Sequence, residues 1–234
     1  MFNSDDFKIV PIFHPSEKLC QVFASIEIHC AMDSGYCNTL FRDLDKDYFN
    51  IWAKEKNVFT FAGYYEKQII GFVNGYLDGD TMLLNSLYVE PGYHYCGLGK
   101  KLLQTAEMAV SVVKPSIKLF PLTSAHEFYQ QYGYNYVKGN KYMMKNLPQN
   151  ITGVVPVFEW SDELQAKLNM KIDNDLIQNY KHKTMFVYVD KDNKIDGIAF
   201  YLPNGKEVIK LNDKQKSLAK YRRLELSMAM DSCR

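Results

Sequence analysis

The chain has 234 residues, 47% hydrophobic and 24% charged, with a formal net charge of +1 at pH 7. That balance suits a globular protein with a sizeable core and lacks the basic excess of a nucleic-acid binder, and no apolar run approaches the roughly 20 residues of a membrane-spanning helix. Residues 1–7 hold two aspartates and no apolar leader segment, and Cys20, Cys30, Cys37, Cys96 and Cys233 form no CxxC pair, so a cytoplasmic protein with free thiols and no metal is expected.

Residues 8–13 read as a short apolar strand. Pro15-Ser16 then opens a helix carrying Leu19, Val22, Phe23, Ile26 and Ile28 near helical spacing. A second helix is expected over 45–56. Strands follow at 58–65, 68–77 and 81–89, parted by turns at Glu66-Lys67 and Gly79-Asp80, which predicts an antiparallel meander. Residues 97–113 predict an amphipathic helix with Leu98, Leu102, Leu103, Ala106, Ala109 and Val110 on one face, ended by Pro115. A strand at 117–122 and a short helix at 125–132 come next, with Gly133 as the helix cap. Residues 134–138 and 141–146 complete a hairpin around Gly139-Asn140.

Leu147-Pro148-Gln149-Asn150 breaks this pattern, so domains are expected at 1–147 and 148–234. Beyond the break the chain echoes its own beginning. Residues 154–158 (VVPVF) repeat the character of 9–13 (IVPIF), and 161–164 repeat that of 16–19, at one constant offset. A truncated half-repeat and an independent α+β cap both fit. The tail should run as strand, helix (161–180), a hairpin turning at 190–194, strand (207–211) and helix (213–230).

The chemistry concentrates where the third meander strand meets the long helix. After Val89-Glu90-Pro91, a short loop brings Gly97 and Gly99 to the start of that helix. The first turn of a helix has backbone N–H groups without partners and the positive end of the helix dipole, which together make an anion site. Glycines there remove side chains that would block a phosphate. Lys100 and Lys101 are poorly placed for the helix dipole alone and better placed beside a bound pyrophosphate.

This segment resembles the acyl-CoA-binding motif of the GNAT superfamily of N-acetyltransferases: Arg or Gln, two residues, Gly, one residue, Gly or Ala, after a strand ending Val-x-Pro and before a helix with Leu-Leu. Here the frame is His94, Gly97 and Gly99, between Val89-Glu90-Pro91 and Leu102-Leu103. Downstream, Phe128-Tyr129, three residues and Gly133-Tyr134 resemble the family's Phe-Tyr, three residues, Gly-aromatic segment. The resemblance covers residues 8–147. It implies an α/β fold with a central, mostly antiparallel sheet flanked by helices, followed here by a small C-terminal α/β unit. It also implies acetyl-CoA as cofactor and a small-molecule or peptide amine as acceptor, attacking the thioester directly; a homodimer is compatible with it.

Carried over residue by residue, the coenzyme is held by Leu87, Tyr88, Val89, His94, Tyr95, Cys96, Gly97, Leu98, Gly99 and Lys100, and Tyr129 matches the general acid that faces the sulfur. His94 departs from the family's Arg or Gln and has no permanent charge to offer a phosphate, which shifts the expected grip to backbone N–H groups. Some members have a glutamate in the strand before the loop. The matching stretch here, Leu83-Leu84-Asn85-Ser86, has no carboxylate. Asp78, Asp80, Glu90, His126 and Glu127 stand as candidates for a base, none singled out. The missing strand carboxylate and His94 also allow a catalytically weak acyl-CoA sensor. A dinucleotide fold would want a third glycine where Leu102 stands, and the Gly-Lys-Ser/Thr of a phosphate-loop NTPase is missing.

Overall fold

The computed structural model describes residues 6–35, 44–55, 57–180, 184–201, 206–212 and 216–231. Cys37 and Cys233, and most of the stretch considered as a leader, lie outside them. The chain divides into two compact units. The first comprises Met1–Glu107 and Ser116–Asn146, the second Met108–Pro115 and Leu147–Arg234.

The first unit is built on seven strands: β1 (Phe7–Pro11), β2 (Phe59–Tyr65), β3 (Gln68–Asp78), β4 (Thr81–Val89), β5 (Ser116–Leu119), β6 (Asn135–Tyr136) and β7 (Met143–Asn146). Their order is β1-β2-β3-β4-β5-β7-β6, and every neighbouring pair is antiparallel except β4 with β5. The meander turns where the sequence places it. Glu66 and Gly79 both adopt left-handed backbone, at φ 54° and 62°.

Helix α1 (Glu17–Asp33) starts at Ser16, whose hydroxyl accepts the Leu19 N–H at 3.2 Å. Cys20, Phe23, Ala24 and Ile26 are its buried face. They meet Phe72 of β3 and Tyr48 of α2 (Leu44–Lys54), with the Phe23 ring stacked on Phe72 at 4.5 Å. Helix α3 (Leu98–Ser111) buries all six apolar residues of its expected face. Its first turn lies tight on the sheet because two glycines stand beneath it. A Cβ on Gly63 would come within 2.8 Å of Leu98, and one on Gly71 within 3.2 Å of the same side chain. Helix α4 (His126–Gln131) follows a 3-10 turn at Thr123–Ala125.

The second unit has a four-stranded antiparallel sheet in the order β11-β10-β9-β8, from β8 (Gly153–Val157), β9 (Met185–Val189), β10 (Ile195–Tyr201) and β11 (Glu207–Leu211). The helix expected over 161–180 is two short ones, α5 (Asp162–Lys167) and α6 (Asn174–Tyr180). The break has a tertiary cause: Leu168 bridges to Ile195, and the Asn169 N–H donates to the Ile195 carbonyl at 3.0 Å. The final helix is α7 (Lys216–Asp231). The strand sequence β8, β9, β10, β11 repeats the neighbour order of β1, β2, β3, β4, with helices after the first strand and after the last in each case.

At the core of the second unit is Asp196, fully buried on β10. It accepts the Asn169 and Asn212 amides at 3.0 and 3.1 Å, and the Arg222 guanidinium of α7 at 2.7 Å. Arg222 also lies over the Tyr188 ring at 4.6 Å.

Candidate active site

Three pieces of the first unit converge at the end of β4. The first is β4 itself. It pairs with β5 only through Met82, Leu83 and Leu84. Among the described residues no strand continues that pairing along 85–89, so the two parallel strands part there. Leu87, Tyr88 and Val89 lie on this open stretch, half-buried.

The second piece is the loop and first turn of α3. Gly97 has φ 85°, and Tyr95, fully exposed, is also left-handed at φ 62°. A left-handed tyrosine is uncommon outside strained or functional turns. The Lys101 N–H donates to the Gly97 carbonyl at 3.1 Å, so the helical ladder starts there. The N–H groups of Leu98, Gly99 and Lys100 thus precede the ladder and have no helical partner. Cys96 lies between the two left-handed residues, and the Lys100 side chain is exposed. This donor set suits a pyrophosphate in number and charge.

The third piece is α4. The helix ends in a Schellman motif: the Gly133 N–H donates to the Gln130 carbonyl and the Tyr134 N–H to the Tyr129 carbonyl, at 3.0 and 3.2 Å. Gly133, at φ 86°, supplies the left-handed residue this needs. Tyr134 then packs its ring against Tyr129 at 5.6 Å, the apolar contact that accompanies the motif. Tyr129 is therefore fixed from both backbone and ring, and burial keeps its phenol protonated well above the ordinary range. Its neighbour Phe128 reaches α3, since a Cβ built on Gly99 would be 3.7 Å from the Phe128 ring and 3.8 Å from Val89 Cγ2.

His94 turns back from the loop. Its Nε2 lies 2.8 Å from the Val89 carbonyl oxygen, which can only accept, so Nε2 carries the hydrogen. The Cys30 thiol donates to the same oxygen at 2.9 Å. The residue that stands in the position of Arg or Gln thus braces the strand end, and the carbonyl of Val89 has both lone pairs engaged.

Of the base candidates, Asp78, Glu90 and His126 are each held by a partner. Asp78 pairs with Lys118 at 2.9 Å and Asp80 is exposed, both at the β3–β4 turn, the opposite end of β4. Glu90 pairs with His29 at 2.9 Å, His126 with the Tyr136 hydroxyl at 2.7 Å, and Glu127 is exposed.

Sequence reasoning missed a further carboxylate, Glu27. A cavity of about 360 Å³ opens between α1, α2 and β4, bordered by Glu27, Asp47, Tyr48, Asn85, Ser86 and Tyr88 among others. Both Tyr48 and Tyr88 donate their hydroxyls to Glu27, the second at 3.1 Å. Burial raises the Glu27 carboxyl above its ordinary range, while the two phenols pull the other way and Asp47 adds to the rise. The wall on β4 owes its shape to a bulge. Asn74 of β3 pairs with Ser86 and Gly75 with Leu84, leaving Asn85 as the extra residue. Two successive residues, Asn85 and Ser86, border the same cavity in consequence. Tyr88 links the two regions, its phenol held up by burial, by Glu27 and to a lesser degree by Tyr129. The signal was in the sequence. Cys20, Phe23, Glu27 and Cys30 follow helical spacing, so an acid occupies an otherwise apolar stripe.

Comparison with known proteins agrees with this geometry. Residues 54–136 match the family model described as an acetyltransferase (GNAT) domain. The fold is similar to that of PaiA N-acetyltransferase from Thermoplasma acidophilum, solved in complex with coenzyme A, at 16% identity and a TM-score of 0.51, over 59% of this chain and 99% of that one. It is also similar to a GNAT-family acetyltransferase from Staphylococcus aureus Mu50, at 20% identity and a TM-score of 0.52, over 60% and 100% of the two chains. No curated protein matches the sequence. Residues 54–136 are thus similar to a GNAT acetyltransferase domain, and the first unit shares the fold of these two solved acetyltransferases. Among the described residues, no helix is long and apolar enough to cross a membrane.

Proposed function

We propose that the protein transfers an acetyl group from acetyl-CoA to a primary amine, with Tyr129 as the general acid. The convergence of the α3 N-terminus, the open end of β4 and Tyr129 carries this reading. Acetyl-CoA supplies a thioester carbonyl and a sulfur leaving group. The N–H groups of Gly97, Leu98, Gly99 and Lys100 hold the pyrophosphate, and the backbone of residues 87–89 lines the pantetheine arm. Tyr129, kept protonated by burial, delivers its proton to the departing sulfur. Thiol release with acetyl-CoA and a panel of primary amines tests the reading. Tyr129→Phe should retain acetyl-CoA binding and lose roughly 10²-fold or more in turnover. Unchanged turnover in that variant would remove Tyr129 from the chemistry.

One observation favours a second reading, an acyl-CoA sensor with weak catalysis. The Val89 carbonyl is already engaged by His94 and Cys30, so a pantetheine amide can use it only by displacing one of them. Coenzyme binding without turnover across the amine panel would favour the sensor.

We further read residues 148–234 as a truncated half-repeat of the first unit, on the strength of the shared strand order. Cys20 and Cys30 are free thiols whose acidity burial suppresses to about 11, which suits a reducing cytoplasm.

A further inference from the structure

We infer that the cavity between α1, α2 and β4 receives the acceptor as a compact primary alkylammonium ion, and that the Glu27 carboxylate takes its proton. The inference rests on the acetyl-transfer reading above and assigns the base and acceptor class that it left open.

Charge selects the occupant. Among the described residues, Glu27, Asp47 and Glu55 border the cavity with Lys54 as the one cation. A cation is therefore favoured over a neutral or anionic acceptor. Size restricts it. About 360 Å³ lies near the lower end of the roughly 300–1,000 Å³ range of small-molecule pockets, which suits an alkylamine rather than a folded peptide. Polarity orients it. Each oxygen of Glu27 accepts one phenol, from Tyr48 and from Tyr88, and keeps a second lone pair for an ammonium N–H.

The protons then balance. The ammonium gives one proton to Glu27, which frees the nitrogen lone pair. The nitrogen forms a C–N bond to the thioester carbonyl carbon. The C–S bond breaks, and sulfur leaves with the electron pair and takes the proton of Tyr129. Tyr129 recovers a proton from the nitrogen, Glu27 releases its own to solvent, and each turnover liberates one proton. Desolvation favours this role, because a carboxyl raised by burial is a stronger base than an exposed one. The groups that face it are Tyr48 and Asp47 from α2, Tyr88 from β4 and Cys30 on its own helix.

The test uses the full chain and four measurements. Calorimetry follows acetyl-CoA binding. Thiol release is followed with n-propylamine, n-butylamine, n-hexylamine and 1,4-diaminobutane, with n-butanol as the uncharged control. The pH profile of kcat/KM is recorded. Binding of n-butylammonium is titrated into protein saturated with coenzyme A. Native protein should turn over at least one amine and not the alcohol. Glu27→Gln should bind acetyl-CoA as before, lose roughly 10²- to 10⁴-fold in kcat/KM, lose the acid limb of the profile, and weaken butylammonium binding at least tenfold. Tyr88→Phe removes one phenol from the carboxylate and should move the acid limb to higher pH; it also serves if Glu27→Gln does not fold. Native-like turnover and butylammonium binding in Glu27→Gln, an unmoved limb in Tyr88→Phe, or no amine turned over by a protein that binds acetyl-CoA each overturn the inference. Absence of acetyl-CoA binding in the native protein strikes instead at the acetyl-transfer reading.

Discussion

Glu27 on α1 and Asp196 on β10 are both acids on the inner side of their elements, and their surroundings differ. Asp196 is fully buried and accepts two amides and a guanidinium. Every partner comes from the protein, so the cluster is closed. Glu27 accepts two phenols and borders a cavity, with no cation bonded to it among the described contacts. A buried charge without a counter-charge is a standing expense in free energy, tolerable where a ligand supplies the missing partner. The contrast separates a carboxylate used to hold a core from one available to chemistry.

The largest effect should come from breaking the closed cluster. Arg222→Met leaves Asp196 buried without its cation and should destabilise the chain by about 3–5 kcal/mol, read by urea denaturation. Asp196→Asn added to it should recover part of that loss, since removing both charges is milder than removing one. A loss below 1 kcal/mol for Arg222→Met would mean that the guanidinium is not the partner that matters.

A second pair of variants separates strain from ligand contact in the first unit. Gly79 and Gly97 both have positive φ, at 62° and 85°. Alanine at either should cost about 1–3 kcal/mol of stability. Only Gly97→Ala should also weaken acetyl-CoA binding, by tenfold or more, while Gly79→Ala, with nothing within 4 Å of its added Cβ, should bind normally. Equal affinities in a calorimeter would detach the loop from the coenzyme.

The smallest effect concerns the open carboxylate. Because burial raises Glu27 in the folded state, the ionised form is disfavoured there. Its contribution to stability therefore falls as pH rises from the unfolded value near 4.5 through the folded one. Glu27→Gln should raise Tm slightly at pH 7, and the gain should vanish near pH 4. A lower Tm at pH 7 would place Glu27 with Asp196 among acids that hold structure.

Most of the first unit could be read from local rules. Alternation and turn residues gave the meander, and β4 ends at the residues that the pattern indicates. Ser16 and Gly133 cap helices as their chemistry requires. What escaped depends on partners distant in sequence. Leu168 interrupts an apparently continuous helix because Ile195 recruits its backbone. The cavity needs α1, α2 and a bulge in β4 brought together, and no single window contains all three. The Tyr88 hydroxyl, too, turns to Glu27, 61 residues away in the chain.

The extra residue at Asn85 has an evolutionary implication. An irregularity already present in a ladder can absorb an insertion, deletion or change of side chain locally, so the pairing of Gly71 with Val89 need not shift when residues 85 and 86 do. Side chains at those two positions can therefore change the shape of the cavity while the far end of β4 stays in register.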